Sequence, residues 1–309
     1  MLDQTSHPSF VDQEERRRVF WSVYLLDRFV SCGRDKPHAI LDSSVHLQLP
    51  CSDSAWEHGK PEKTLTLEEL GNRSSTKLNS LGPFGQVVAM ASILGRSSQY
   101  SLQDFNIHSR HSPWDPSSDF AAIEFDLLHL ESHMGLQKPI QELIPSGSSP
   151  GASIDQSKTI PAIFARVLFH LCYCLLNHPF LLRRRIASGQ AAAPSSFLSR
   201  AFHTGLHHAQ QMIEMLSTAR NAGCAFNASF GNYCIMVASS VLAIHRLQGN
   251  LETQSNADRL IQEALGFLES SAKNWPNVSN MVGTLISFIA LASRQQYAFY
   301  WYFALLMMS

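Results

Sequence analysis

Charge of one sign is what this sequence most plainly lacks. Its 309 residues carry 24 Lys and Arg against 25 Asp and Glu, a net charge of −1. A protein that grips nucleic acid through its phosphates carries a basic patch or stripe, so duplex binding by these residues alone is not expected. Close cysteine pairs are missing too. Cys32, Cys51, Cys172, Cys174, Cys224 and Cys234 contain no C-x-x-C, the spacing on which compact structural zinc sites depend. On a helix Cys172 and Cys174 point about 200° apart, and all six read as small buried thiols in a reducing compartment.

Targeting and catalytic signals are equally sparse. Residues 1–13 are polar, without the apolar stretch of a signal peptide. The late apolar runs Met281–Ala292 and Tyr297–Met308, separated by Arg294, Gln295 and Gln296, are each shorter than the ~20 residues of a membrane span. The glycosylation sequons at Asn72, Asn227 and Asn277 therefore have no secretory context. There is no G-x-S-x-G, P-loop, G-x-G-x-x-G or H-E-x-x-H, and no Asp-rich cluster of the kind that holds magnesium. Glu68-Glu69 lies in a polar stretch with nothing to perturb it. Catalytic, cofactor and metal residues are thus all expected to be absent.

What is present is helical periodicity. Apolar residues make up 45% and charged residues 16%, a globular composition. The spacing predicts helices over 12–32, Phe84 to Tyr100, Ser118 to Gly135, Ile160 to Asn177, Phe202 to Gly223, Tyr233 to Leu247, Asn256 to Lys273, and from Val278 onward. Residues 52–82 and 145–157, rich in Ser, Gly and Pro, read as loops or linkers, and 160–309 as the C-terminal helices. No fixed-period repeat is visible. The expectation is a single all-α, non-repeating domain of antiparallel helices over 1–309.

Two clusters have sharper readings to weigh. His203 and His207 stand at i,i+4 on one helix beside His208, which is metal-ligand spacing. The intervening residues are Thr204-Gly205-Leu206, without a zincin glutamate or a third ligand, so these are read as histidines of a polar face. Arg183-Arg184-Arg185 is read as a solvated helix end favouring positive charge, over a nuclear-import or acidic-partner patch.

The most informative stretch runs from Glu14 to Pro50. A charged turn offers the i,i+4 pairs Asp12–Arg16 and Glu14–Arg18. Phe20, Val23, Tyr24, Asp27 and Val30 follow at helical spacing and are expected to face the core. Gly33 stands where a C-terminal cap belongs, and Pro37 forbids further helix. From Ile40 to Leu49 the residues Leu41, Val45, Leu47 and Leu49 mostly alternate with polar ones, so this strip is expected to be extended.

Glu15, Arg16, Arg17, Arg18, Phe20, Trp21, Tyr24, Asp27 and Arg28, followed by Pro37, Ile40, Leu49 and Pro50, resemble the middle homology region of the fungal zinc-cluster transcription factors. His7-Pro8-Ser9-Phe10 resembles that family's approach to the helix, and Asn177-His178-Pro179-Phe180 a later turn. Asp35-Lys36 departs from it, since the family often has a small residue and Arg there. The likeness is best over 1–50 and weaker beyond about Gly59.

The resemblance implies a non-enzymatic regulatory domain of a nuclear transcription factor. DNA and zinc would be bound only by an upstream six-cysteine module that is not in this sequence, which makes a version truncated at its N-terminus the expectation. Partners implied are proteins of the transcription machinery or a second copy of the chain, with no membrane and no direct nucleic acid, and a small-molecule effector is possible. The motif residues are expected to be structural, Trp21 and Tyr24 packing in the core; the competing reading has them lining an effector pocket. Two alternatives stand from other classes: an all-α enzyme or carrier for a hydrophobic small molecule, and a truncated interaction module.

Overall fold

The computed structural model describes residues 9–33, 36–72, 81–103, 111–144, 154–187, 192–224, 226, 228–247 and 251–293. His7-Pro8, Asp35, most of the 145–157 linker, Asn227 and the apolar run 297–308 lie outside them.

Eleven α-helices form among the described residues: α1 Phe10–Ser31, α2 Asp53–Glu57, α3 Leu67–Gly71, α4 Pro83–Ser98, α5 Asp119–Met134, α6 Gln156–Leu176, α7 Pro179–Ala187, α8 Ser195–Asn221, α9 Ser229–Arg246, α10 Leu251–Ala272 and α11 Pro276–Ser293. A π-helical turn, Gln99–Gln103, prolongs α4. Strand pairing among these residues is limited to one antiparallel bridge between Gln48 and Thr66. The fold is all-α and non-repeating, as the periodicity implies.

The caps explain where the helices stop and start. The Ser9 hydroxyl accepts from the Asp12 amide while the Asp12 carboxylate accepts from the Ser9 amide and hydroxyl, a capping box that opens α1. Asp12 is therefore engaged with Ser9 and not in the i,i+4 pair with Arg16 expected from the sequence. Gly33 leaves α1 with φ of 81°, a conformation glycine adopts without a Cβ penalty. Ser118 caps α5, and Gly135 closes it in the left-handed region.

α6 is the central helix, packed by α4, α8 and α9, while α10 lies on α8 and α9 and is followed by α11. It is long and apolar enough to cross a membrane, with a mean hydropathy of 1.7, yet 83% of that stretch is buried within the fold. It reads as the core helix of a globular domain. α8 approaches the end of α6 closely at Gly205, where a Cβ would sit 3.0 Å from the Asn177 carbonyl oxygen.

Three expectations are corrected. Residues 52–82 are not simply loop. Ser52 caps α2, a Thr66–Glu69 capping box opens α3, and Leu65, Leu67, Leu70 and Leu81 are buried. The strip from Ile40 to Leu49 is interrupted by a 3-10 turn at Asp42–Ser44. The inward face of α1 is also rotated. Val19, Val23, Leu26 and Val30 are 65%, 53%, 61% and 49% exposed, because the inward positions are taken by Glu14, Trp21, Tyr24, Leu25 and Arg28.

Pro179 starts α7 directly after the Asn177-His178 turn, and Arg184 and Arg185 stand in the last turn of that helix, the helix end expected for the triplet. Arg183 and Arg184 are exposed. Arg185 is buried, donates to the Tyr100 carbonyl and lies 4.1 Å over the Tyr100 ring, so it belongs to the core.

The turn itself depends on a neutral histidine. The Ser240 hydroxyl donates to the Val237 carbonyl, which leaves its oxygen to accept from His178 Nε2 at 3.1 Å. His178 Nδ1 accepts from the Phe180 amide at 3.3 Å. Burial pushes His178 down to about 3, and burial likewise holds His170 and His208 well below their ordinary range. Unfolded imidazoles titrate near about 6.5. Below that pH the unfolded chain binds protons that the native chain refuses, so stability falls as pH drops from 6.5 toward 3, by up to about 1.4 kcal/mol per pH unit per histidine. Urea midpoints should be clearly lower at pH 5.5 than at 7.5; equal midpoints would contradict burial of neutral imidazoles.

Candidate functional site

The residues of the sequence motif meet beneath α1, where its inner face lies on the 36–51 strip. Two carboxylates organise the contact. Glu14, fully buried, accepts from Arg17 at 2.5 Å, from Arg18 Nε at 3.2 Å and from the Cys51 amide at 3.0 Å. Arg18 reaches on to the Cys51 carbonyl at 3.0 Å and Asp53 at 2.8 Å, with Trp56 packed 4.2 Å beneath its guanidinium. The N-terminal half of α1 is thereby fastened to the end of the strip and to α2.

About three turns beyond Arg18, Arg28 is 2% exposed and makes three charge-assisted or carbonyl bonds: Asp27 at 2.8 Å, Asp42 at 2.5 Å and the Ile40 carbonyl at 2.7 Å. Asp42 also accepts from the Tyr24 hydroxyl at 2.6 Å and from Ser92 on α4 at 2.7 Å. Burial and the Asp42 charge push the Tyr24 phenol well up from its ordinary range, so it remains a donor. Asp27 accepts from the Ala39 and Ile40 amides at 3.0 and 3.1 Å. Backbone groups of a strip without regular secondary structure are thus satisfied by side chains of α1. Gly95 on α4 lets this cluster close, since a Cβ there would meet Arg28 at 2.9 Å.

Trp21 fills the space between the two carboxylate clusters. It is fully buried, donates its indole N–H to the Gln48 carbonyl at 2.8 Å, and makes edge contacts with Phe20 and Tyr24. Leu49 and Pro50 are buried with it, Phe20 is half-buried, and Glu15, Arg16 and Pro37 lie at the surface. The structure thus brings Arg17, Arg18, Trp21, Tyr24, Asp27, Arg28, Leu49 and Pro50 together and leaves those three motif residues outside. Asp42 and Ser92 are members that the sequence reading missed. Asp42 followed closely on Ile40, but nothing local placed it opposite Arg28.

The other candidates disperse. His203 and His207 are exposed, whereas His208 is buried, stacked 3.9 Å on Tyr173 and 2.9 Å from His170, Nδ1 to Nδ1. His208 is therefore a core residue and not part of a polar face. Among the described residues no group of three or more His, Cys, Asp or Glu is arranged to hold a metal. All six cysteines are free and buried. Burial pushes the Cys32 and Cys172 thiols up to about 12 and Cys51 to about 11, which suppresses the reactive thiolate. At pH 8, an aromatic disulfide reagent should label fewer than about one thiol per native chain within minutes, and all six after denaturation. Rapid labelling of several thiols in the native chain would contradict the packing.

These observations define an all-α domain with an internal ionic clamp beneath α1. The family described as the fungal specific transcription factor domain matches residues 3–180, and the chain belongs to it. The curated zinc-cluster transcription factor FTF1c of Fusarium oxysporum f. sp. lycopersici is 24% identical over 279 residues, covering 86% of this chain and 29% of that protein. FTF2 of the same organism is 25% identical over 279 residues, 86% of this chain and 25% of that protein. The pigment biosynthesis transcriptional activator pigB of Monascus ruber is 34% identical over 96 residues, 31% of this chain and 17% of that protein. The chain thus spans under a third of the length of these relatives. No solved structure matches.

Removing the clamp should be costly in a way its sequence position does not reveal. Arg28→Met leaves Asp27 and Asp42 facing each other without a cation, and about 3–5 kcal/mol should be lost. Trp21→Ala should cost a similar ~3–5 kcal/mol. Urea unfolding followed by circular dichroism reads both; a loss below about 1 kcal/mol for either would place it on a surface and not in a clamp.

Proposed function

We propose that this chain is a regulatory domain of a fungal transcription factor, acting in the nucleus by contact with proteins of the transcription machinery or by self-association. On this reading DNA and zinc are bound by a separate six-cysteine module, and the chain is not an enzyme. The observation that carries it is the inward orientation of the motif. Arg17, Arg18 and Arg28 are spent on Glu14, Asp53, Asp27 and Asp42, and Trp21 is closed off from solvent. The cluster therefore offers neither phosphate-binding cations nor an open apolar pocket. It builds a rigid frame for helices that do the contacting. The net charge of −1 points the same way, because phosphate binding scales with the cations a surface presents.

The test joins the chain to a heterologous sequence-specific DNA-binding module in a fungal reporter strain. The fusion should change reporter output relative to the module alone, and Arg28→Met should abolish the change at equal protein level. The isolated chain should give no salt-sensitive shift of duplex DNA below about 1 μM at physiological salt. An unchanged reporter with a folded, expressed fusion would count against a regulatory role, and tight duplex binding by the chain alone would reassign it as a DNA reader. The carrier alternative has one observation in its favour, a cleft between α6 and α8.

A further inference from the structure

The cleft lies where the segment after α5, including the 3-10 turn Ile140–Glu142, meets α6 and α8. Its volume is about 340 Å³, on the scale of a small-molecule site. The side chain that matters in it is Arg166 of α6. This guanidinium is 5% exposed, yet among the described residues no carboxylate lies within ion-pairing distance of it. Its bonds are one to the Gly135 carbonyl at 3.2 Å and a long one to the Ala162 carbonyl at 3.5 Å. Its Nε is buried with no partner, as is that of Arg28.

Another buried arginine of the same molecule offers a contrast. Arg28, equally buried, is given two carboxylates and a carbonyl. A guanidinium taken out of water without a counter-ion is strongly disfavoured, and its planar fork of donors matches a carboxylate or phosphate. The surroundings suit such a guest. Lys138, His170, His207 and Gln211 line the cleft alongside Ile140 and Met215. Glu214, the acid on its wall, is already engaged by Arg259 at 3.2 Å. Glu142, whose charge acts on Arg166, sits outside the lining and faces Lys138 at 3.9 Å.

We infer that this cleft is a binding site for a small organic anion, with Arg166 as the counter-ion to its carboxylate or phosphate and Ile140 and Met215 against its apolar part. That such binding would regulate transcription rests on the proposed function; the binding itself does not, and it is read separately from any reporter.

The test uses the full 309-residue chain and three probes of matched shape: benzoate, phenyl phosphate and neutral benzamide, by calorimetry and thermal shift at low ionic strength. Saturable one-to-one binding of benzoate or phenyl phosphate is expected, raising the melting temperature, with benzamide silent. The stronger of the two anions distinguishes a carboxylate guest from a phosphate one. Arg166→Met should weaken binding by about tenfold or more, as loss of a charge-assisted bond does. Lys138→Gln should weaken it by about two- to threefold, since that ammonium is solvated. Absence of binding by either anion up to about 10 mM, equal binding of benzamide, or an unchanged affinity in Arg166→Met would each overturn the assignment. Should Arg166→Met fail to fold, Gln211→Trp decides, because Gln211 is exposed at the cleft: loss of anion binding supports the site and unchanged binding overturns it.

Discussion

Arg28 has to be neutralised where it stands, and the arrangement around it makes the first half of this fold possible. Its guanidinium is held between Asp27 of its own helix and Asp42 of the following strip, over the Tyr24 ring at 4.2 Å. Each partner brings another part of the chain with it: Asp27 the amides of Ala39 and Ile40, Asp42 the Ser92 hydroxyl of α4. Broken on one side, such a cluster leaves an uncompensated buried charge, which is far costlier than the intact cluster is beneficial. The consequence is specificity of position. The strip has no ladder of its own, so its register on α1 is fixed by the carboxylates that accept its amides.

Glu14 repeats the device one end earlier. Its carboxylate takes the Cys51 amide and two arginines, and Trp21 occupies the space between the two clusters. α1 is therefore an amphipathic helix whose buried face is substantially charged. That inversion leaves Val19, Val23, Leu26 and Val30 outside. The apolar core is centred on α4, α6, α8 and α9 and continues beneath α1 through Trp21, Tyr24 and Leu25.

Local signals in the sequence carried the helices well and their faces less well. Ser118, Gly135 and Gly33 mark ends that the structure uses, because caps are local chemistry. The Thr66-x-x-Glu69 box was equally readable, but α3 is only five residues long and was submerged in a polar stretch. α7 was hidden because Pro179 both ends one pattern and occupies the first position of the next helix, where its missing N–H is harmless. The phase of α1 could not be read from hydrophobic period. Val23 and Val30 are better core residues by composition than Glu14 and Arg28, and only distant partners, the Cys51 amide and Asp42, reverse that preference. Arg166 and His170 were likewise lost in the apolar run from Ile160 to Asn177, since burial of a cation depends on what faces it across the fold.

The placement of the strip depends on the carboxylates of α1 holding it. Native-state hydrogen exchange at the backbone amides of Ala39, Ile40 and Cys51 and at the Trp21 indole tests this directly, because these donors belong to no regular ladder and are protected only by Asp27, Glu14 and the Gln48 carbonyl. The clamp predicts that all four exchange with the free energy of global unfolding, alongside the amides of α6. Exchange at rates typical of an open loop, while α6 stays protected, would mean that α1 and the strip are not fastened to each other.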